Sequence, residues 1–360
     1  MRLKNNKILR DFYRIYQVYS SKNKIQLFEK NIILIGTPTH GNLGDQAISV
    51  AEIKFLKEKF PTYNIIEIFD KDVYSSLKFL KRQLKMEDKV FFHGGGNFGS
   101  LYSTAEEQRR IALKILGKRI PIFFFPQSIY YEDTLLGKKQ LQIAINDFKK
   151  YPNLTIVTRE KTSFEFALEN FNNHVLLIPD IVLSLDLFDK YKQRRKKRVV
   201  FSFRDDKEKL LDEKLIAQLK NAVKDLKIEA IDFDTHIGDE FEIREEKRNS
   251  KLNEIWDTFG KSSLILTDRL HGMIFALITG TPAIIFSNNN PKIRSSYETW
   301  ITDVNYIRYI DTYNPGEVID NIVEMLNISP VSKDFSRFYD YFAEEINAIQ
   351  SSIEEEKWKE

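Results

Sequence analysis

Five short segments of this chain group residues that could bind an anion or move a proton. Gly36-Thr-Pro-Thr-His-Gly-Asn-Leu-Gly-Asp45 combines three glycines with His40, Asn42 and Asp45, between an apolar run and a helical one. Gly36, Gly41 and Gly44 let the backbone turn sharply, and N–H groups near a helix start can face an anion. The segment is neither G-x-G-x-x-G nor a P-loop, because Gly-Lys-Ser/Thr is missing. His93-Gly94-Gly95-Gly96-Asn97-Phe98-Gly99 permits close approach of a ligand to the main chain, or serves only tight helix–sheet packing. Pro126-Gln127-Ser128 brings two hydrogen-bonding side chains to a strand end. Thr158-Arg159-Glu160 places an arginine at a strand terminus, suited to bidentate binding of a carboxylate or phosphate. A structural ion pair, with Glu160 or between domains, is the competing reading. Arg204 repeats the arrangement after Ser202-Phe203.

The strongest group is Thr267-Asp-Arg-Leu-His-Gly-Met273. A strand ends in Asp268-Arg269, His271 follows two residues later, and Gly272 opens a helix. A permanent cation and an imidazole thus stand beside a helix N-terminus, a favourable place for a phosphorylated anion. A lone histidine is more often a buried structural one, but Arg269 and the turn favour a catalytic or ligand role. Ser287, closing the next strand, joins the candidates for the anion, whereas His174 and His236 stand outside such loops and read as structural. No spacing of His, Asp and Glu suggests a metal site. The absence of cysteine removes disulfides, thiolate nucleophiles and thiolate metal ligands, and suits a reducing compartment.

These segments need a scaffold that sets them at strand ends, and the rest of the sequence supplies one. Short β-branched and aromatic runs alternate with helical stretches, which argues for parallel sheets with right-handed crossovers. Strands are expected at Asn31–Gly36, 64–69, 89–93, 120–125 and 154–158, with helices at 43–60, 71–84, 105–116 and 134–149. The rhythm restarts after a basic stretch at 190–198, with strands at 198–203, 230–234, 263–267, 283–287 and 306–309 and a last amphipathic helix at 336–358. The expected fold class is α/β, with two Rossmann-like domains facing a cleft. The divisions are a basic N-terminal helical segment over 1–30, an N-terminal domain over 31–189, a linker over 190–198, a C-terminal domain over 199–330 and a C-terminal helix over 331–360. Ligands in open α/β sheets bind beyond the carboxyl ends of strands, where the five segments lie.

Composition narrows the function classes. With 360 residues the chain is long enough for about two domains at roughly 150 residues each. At 42% hydrophobic and 30% charged it is neither disordered nor fibrous, and a formal charge of +3 does not call for nucleic acid. The basic start lacks the apolar run of a signal peptide, and the nearest apolar stretch, 272–286, is interrupted by Thr279, Gly280, Thr281 and Pro282. A cytoplasmic protein is expected. The first thirty residues carry eight basic side chains against Asp11 and Glu29, interleaved with Leu9, Phe12, Tyr13, Tyr16, Val18 and Tyr19. Such a helix can lie peripherally on the anionic inner face of a membrane, or pack on the body with a solvated face, which is the commoner outcome.

Taken in order, GNLGD at 41–45, HGGGNFG at 93–99, PQS at 126–128, TRE at 158–160, PDIVLSL at 179–185 and DRLHGM at 268–273 resemble the polysaccharide pyruvyl transferase family. The resemblance covers about residues 31–300. It implies a GT-B-like pair of Rossmann domains with the donor in the interdomain cleft, phosphoenolpyruvate as co-substrate with no further cofactor, and a ketal bridging two sugar hydroxyls. The acceptor would be a saccharide or lipid-linked oligosaccharide of exopolysaccharide or cell-envelope assembly. Phosphoenolpyruvate carries two anionic groups, for which Arg159, Arg204 and Arg269 are available, with Gly272 and Ser287 nearby. His271 is the expected proton donor. His40, Gly41, Asn42, Asp45, His93, Gly94, Gly95, Gly96, Asn97 and Gln127 fall on first-half loops, expected to face the acceptor; the residues do not identify a base for the sugar hydroxyls, and Asp45 is only a candidate. A glycosyltransferase using a nucleotide-sugar would want an acidic or aromatic pair gripping the nucleotide in the second half, and none is evident. A non-catalytic membrane-surface scaffold would have no use for a proton donor beside an anion site.

Overall fold

The computed structural model describes residues 13–14, 16–19, 25–191, 195–204, 210–238, 242–288 and 291–357. Most of the expected N-terminal segment and residues 192–194 of the basic stretch lie outside these. The first half runs β1 (Asn31–Thr37), α1 (Leu43–Lys59), β2 (Asn64–Phe69), α2 (Val73–Gln83), β3 (Lys89–Phe92), β4 (Gly95–Gly99), α3 (Ser103–Leu116), β5 (Ile122–Phe124), β6 (Gln127–Tyr130), α4 (Leu135–Phe148), β7 (Leu154–Thr158), α5 (Lys161–Asn170) and β8 (His174–Leu177). After the 3-10 turn Ile181–Ser184 and the short helix α6 (Phe188–Tyr191), the second half runs β9 (Lys196–Ser202), α7 (Glu213–Asp225), β10 (Glu229–Asp232), α8 (Glu245–Gly260), β11 (Ser262–Thr267), α9 (Leu270–Ile278), β12 (Ala283–Phe286), α10 (Lys292–Trp300), β13 (Ile307–Ile310), α11 (Pro315–Leu326) and α12 (Ser336–Lys357).

The named strands pair in parallel within two sheets, ordered β2-β1-β3-β5-β7-β6-β4, with β8 on β7, and β10-β9-β11-β12-β13. Helices cover both faces, so central strands such as Lys89–Phe92 and Ala283–Phe286 are buried throughout, and the second reads as an unbroken apolar run. These are the two Rossmann-like halves expected from the β/α rhythm.

Three strands were not expected. β4 and β6 lie in the glycine-rich and Pro126 segments, which by composition read as loops. They extend the lines of β3 and β5 past a break: Val90 and Phe92 pair with Ile122 and Phe124, and Gly95 then pairs with Gln127. β8, short and partly exposed, closes the sheet beside β7. β9 starts at Lys196, so the end of the basic stretch is already strand.

The strand order switches direction between β1 and β3 in the first sheet and between β9 and β11 in the second, and such switch points are where open α/β sheets leave a crevice. The GNLGD and HGGG segments leave β1 and β3, while Arg204 and the DRLHGM segment leave β9 and β11. The two crevices face each other. One apolar core runs between the halves, joining Leu43 and Phe55 of α1 to Trp256 of α8 and Met273 and Phe275 of α9. α12 returns to the first half, where Phe342 stacks on Phe55 at 5.3 Å between ring centroids. Backbone bonds also cross: Leu43 N–H donates to the Thr235 carbonyl at 2.8 Å and Ile237 N–H to Gly41 at 3.0 Å.

Candidate active site

A cleft of about 810 Å³ opens between the two switch points and takes lining residues from both halves. His40, Asn42 and Asp45 enter from the GNLGD segment, His93, Gly96 and Asn97 from the glycine segment, and Arg159 from the end of β7. Opposite stand Arg204, Arg269 and His271. Segments up to about 230 residues apart thus meet in one cavity, because parallel β/α units deliver every strand end to the same side.

α9 places the central pair. Arg269 is its N-cap residue and His271 lies in its first turn, above the core packed by Met273 and Phe275. Arg269 Nη2 donates to Asp234 Oδ2 at 2.7 Å, which fixes the guanidinium at the cleft wall. Thr267 anchors the turn by accepting from Arg269 N–H at 3.1 Å and donating to the Ser202 carbonyl at 2.8 Å. Asp268 Oδ1 accepts from Arg204 N–H at 2.9 Å, so the two arginine-bearing strand ends are held side by side.

Asp180, not among the expected site residues, joins the halves. Its Oδ2 accepts from Arg159 Nη1 at 2.7 Å and lies 3.6 Å from His271 Nε2, while Oδ1 caps the 3-10 turn through Val182 N–H at 3.0 Å. Tyr339 of α12 donates to the Asp180 carbonyl at 2.7 Å. Burial opposes charge on Asp180, but His271 and Arg159 outweigh it and hold the carboxyl well below its usual range. An ionised Asp180 therefore supplies the counter-charge beside the imidazole. Arg159 is only 2% exposed: its Nε donates to Ser128 Oγ at 2.8 Å, and Ser128 donates on to Glu160 at 2.9 Å. Its main ionic partner is Asp180, with Glu160 farther at 3.8 Å.

The first-half segments divide into lining and supporting residues. Asn42 Oδ1 accepts from Gly44 N–H at 3.0 Å and caps α1, which carries Asp45 in its first turn, 3.7 Å from His40 Nε2. Gly41 is buried where the chain crosses Gly238, and a side chain there would overlap the Gly238 carbonyl. His93 Nδ1 lies 2.8 Å from Glu52 Oε2, and Gly94 N–H donates to Glu52 Oε1 at 2.7 Å. Burial works against a charged His93, but the Glu52 carboxylate prevails and raises its pKa. Gln127 lies beneath, donating to the His93 carbonyl at 3.1 Å. Gly94, Gly95 and Gln127 support the floor rather than line it, and Asn97 is fixed by Arg109. Gly272 is buried against Thr267, and Ser287 bonds Tyr313 at 2.6 Å, so neither lines the cleft.

His236, expected to be structural, lines the cleft, with its backbone bridged to Asn42. Glu52 carried a sequence signal: it is a carboxylate within the buried stripe of α1, among Ile48, Ala51 and Phe55, where an unpaired charge would not be tolerated. Asp234 and Lys292 had no such signal. Among the described residues no group of three His, Asp or Glu could hold a metal ion, and no helix is long and apolar enough to cross a membrane.

Two expected results follow from this geometry. Gly44 packs against His271 so closely that a methyl group there would overlap the imidazole. Gly44→Ala should lower kcat by about 10²-fold, the cost of roughly an ångström of misplacement, with little change in thermal stability. Steady-state kinetics beside an unfolding curve would check it. Separately, burial pushes Asp268 up to about 6, against a partial offset from Arg204 and Arg269. An acid raised on folding favours the folded state fully below its unfolded pKa and loses that support as pH climbs through the folded one. Asp268 therefore weakens the fold increasingly from about pH 4 to about pH 6 and fully above that. Asp268→Asn should raise the unfolding midpoint more at about pH 8 than at about pH 4, and an equal change at both would contradict the assignment.

The chain is similar to known proteins in sequence and in fold. The sequence profile described as polysaccharide pyruvyl transferase matches residues 42–290. General stress protein 30 of Bacillus subtilis is 38% identical over 320 residues, covering 88% of this chain and 92% of that protein. Pyruvyl transferase 1 of Schizosaccharomyces pombe is 31% identical over 290 residues, covering 76% of this chain and 70% of that one. In fold, the crystal structure of an uncharacterized protein from Klebsiella pneumoniae superposes with a TM-score of 0.53 at 20% identity, over 86% of this chain and 99% of that one. With the profile spanning the cleft segments from Asn42 to beyond DRLHGM, this chain belongs to the polysaccharide pyruvyl transferase family.

Proposed function

We propose that the chain transfers pyruvate from phosphoenolpyruvate to two hydroxyls of a sugar in a surface polysaccharide or its lipid-linked precursor, forming a ketal. The observation that carries this reading is the convergence of Arg204, Arg269 and the Asp180-bound pair Arg159 and His271 on one cleft. Phosphoenolpyruvate has a phosphate and a carboxylate, so it needs cations at two points with a proton donor over the methylene carbon. Arg269 and the N-terminus of α9 suit the phosphate, and Arg204 beside them suits the carboxylate. His271 gives its proton to the methylene carbon, leaving cationic character on the neighbouring carbon. The first sugar hydroxyl adds there and releases its proton. The carbon–oxygen bond to phosphate then breaks, phosphate leaves against Arg269, and the second hydroxyl closes the ring with loss of its proton. Asp45, beside His40 on the opposite wall, is the candidate acceptor of a hydroxyl proton. The balance is one phosphoenolpyruvate and one diol giving one ketal and one inorganic phosphate.

The test uses purified protein, phosphoenolpyruvate and a panel of glycosides bearing vicinal or 1,3-related hydroxyl pairs. Phosphate release should depend on one class of acceptor and be matched, mole for mole, by a new ketal methyl signal in proton NMR. Transfer of a sugar from a nucleotide donor, with phosphoenolpyruvate untouched across the panel, would overturn the reading.

A further inference from the structure

His93 closes β3 at the switch point of the first sheet, and its polar atoms can be accounted for one by one. Its N–H donates to the Ile35 carbonyl at 2.9 Å, and its carbonyl accepts from Gln127 at 3.1 Å. Nδ1 lies 2.8 Å from Glu52 Oε2. Glu52 Oε1 accepts from Gly94 N–H at 2.7 Å, and two donors on one carboxylate favour its ionised form. An ionised carboxylate only accepts, so Nδ1 carries the hydrogen of that contact. Nε2 is left over. It is buried and without a partner, in a side chain 4% exposed that lines the cleft. Buried polar atoms are nearly always paired in folded proteins, and a histidine that served only the core would pair both nitrogens.

The surroundings suit this ring to proton transfer. The charged groups that act on it are Glu52 and Asp45, both on α1, and Arg248 of α8. Burial works against a charged ring, Glu52 and then Asp45 favour it, and Arg248 opposes it; the carboxylates prevail and the pKa rises. Ile35 of β1 and Gln127 of β6, which bond its main chain, are uncharged. Gly94, Gly95 and Gly96 follow it and carry no side chain that could cover the ring. An imidazole at a ligand cavity, with a carboxylate on one nitrogen and the other nitrogen unpaired, is the pairing that activates a hydroxyl.

We infer that His93 is the base for one of the two acceptor hydroxyls, with Glu52 as its positioning residue. Nε2 takes the hydroxyl proton; the oxygen keeps the electron pair of the broken O–H bond and bonds to the carbon that protonation has made cationic. The new imidazolium is balanced by the Glu52 carboxylate at its back, which also holds the ring with Nδ1–H inward and the Nε2 lone pair free. After the ketal leaves, Nε2 returns the proton to water and the ring is neutral again. Asp45 is left as the candidate for the other hydroxyl. The inference rests on the proposed transfer for its electrophile, but a sugar hydroxyl must lose its proton whichever group it receives.

The test combines kinetics of three full-length variants with nitrogen NMR of the histidine-labelled chain. His93→Gln should lower turnover by about 10²–10⁴-fold, while phosphoenolpyruvate still raises its unfolding midpoint. In His93→Ala, added imidazole should restore part of the rate. Glu52→Gln keeps the ring but removes the charge that favours imidazolium, so the His93 pKa falls and the acidic limb of kcat/KM moves to lower pH. NMR reads the same titration without turnover: hydrogen on Nδ1 at high pH, a pKa above the ordinary value, and a lower one in Glu52→Gln. Turnover of His93→Gln within a few-fold of wild type, or a titration unmoved by Glu52→Gln, would overturn the inference. So would a loss in His93→Ala that imidazole does not restore, which would assign the ring to packing. Should the wild type instead move a sugar from a nucleotide donor, the pyruvyl reading fails, and the same variants assayed in that reaction decide the base separately.

Discussion

Replacing His271 by alanine is expected to lower turnover by about 10²–10⁴-fold, the usual worth of a positioned proton donor, while phosphoenolpyruvate binding stays within a few-fold of wild type. The separation follows from where the charges lie. The groups assigned to the donor's anions, Arg204 and Arg269, are fixed through Asp268 and Asp234, neither of which depends on the imidazole. Removing the ring takes away the proton and leaves those anchors in place. His271 rests in the first turn of a helix buried on nearly all sides, so truncation at this cleft-facing position should leave the fold intact. Single-turnover kinetics with a binding titration would separate the two effects. Normal turnover by the variant would remove His271 from the mechanism, and loss of binding without further loss of rate would make it a donor ligand.

The second large effect is expected at Asp180. Its carboxylate is the counter-charge for a guanidinium that is almost wholly buried, and stripping one partner from a buried pair costs about 3–5 kcal/mol. Asp180→Ala should therefore lower stability by about that amount, because Arg159 is left charged without its main partner. It also frees the 3-10 turn of its cap and His271 of its negative neighbour. Asp180→Asn preserves the cap acceptor and the shape, and should recover part of the stability while leaving turnover depressed. Chemical denaturation of both variants beside their kinetics would check this. An alanine variant as stable as wild type would mean that Arg159 is satisfied elsewhere.

The scaffold was largely legible in the sequence because parallel β/α units bury their strands on both faces and cap their helices locally. Asn31–Thr37, Asn64–Phe69 and Leu154–Thr158 are apolar runs between turn signals, and the helix after the GNLGD segment is capped by Asn42, which the segment itself contains. Where composition and tertiary pairing disagree, pairing prevails. Gly95–Gly99 has almost no intrinsic strand preference, yet it continues β3 because β6 offers a partner. The cleft residues were legible for a related reason: strand ends are fixed by local sequence, and topology gathers them.

Asp180 was not legible as a site residue, since nothing within the PDIVLSL segment distinguishes it from an ordinary cap. Its meaning comes from Arg159 and His271, which reach it only when two sheets and α12 close around it. His236 likewise acquires its place from the bridge to Asn42. Ser287 shows the converse, for a strand end pointing toward the right side of the sheet still loses its hydroxyl to Tyr313.

The central claim is that the cleft is a phosphoenolpyruvate site whose anion is held by Arg269. Thermal unfolding of the full chain with and without phosphoenolpyruvate tests it most directly, since a ligand bound only by the native state raises the midpoint. The predicted result is a clear upward shift with phosphoenolpyruvate, retained in His271→Ala, lost in Arg269→Ala and absent with nucleotide-sugars. A shift with a nucleotide-sugar and none with phosphoenolpyruvate would contradict it.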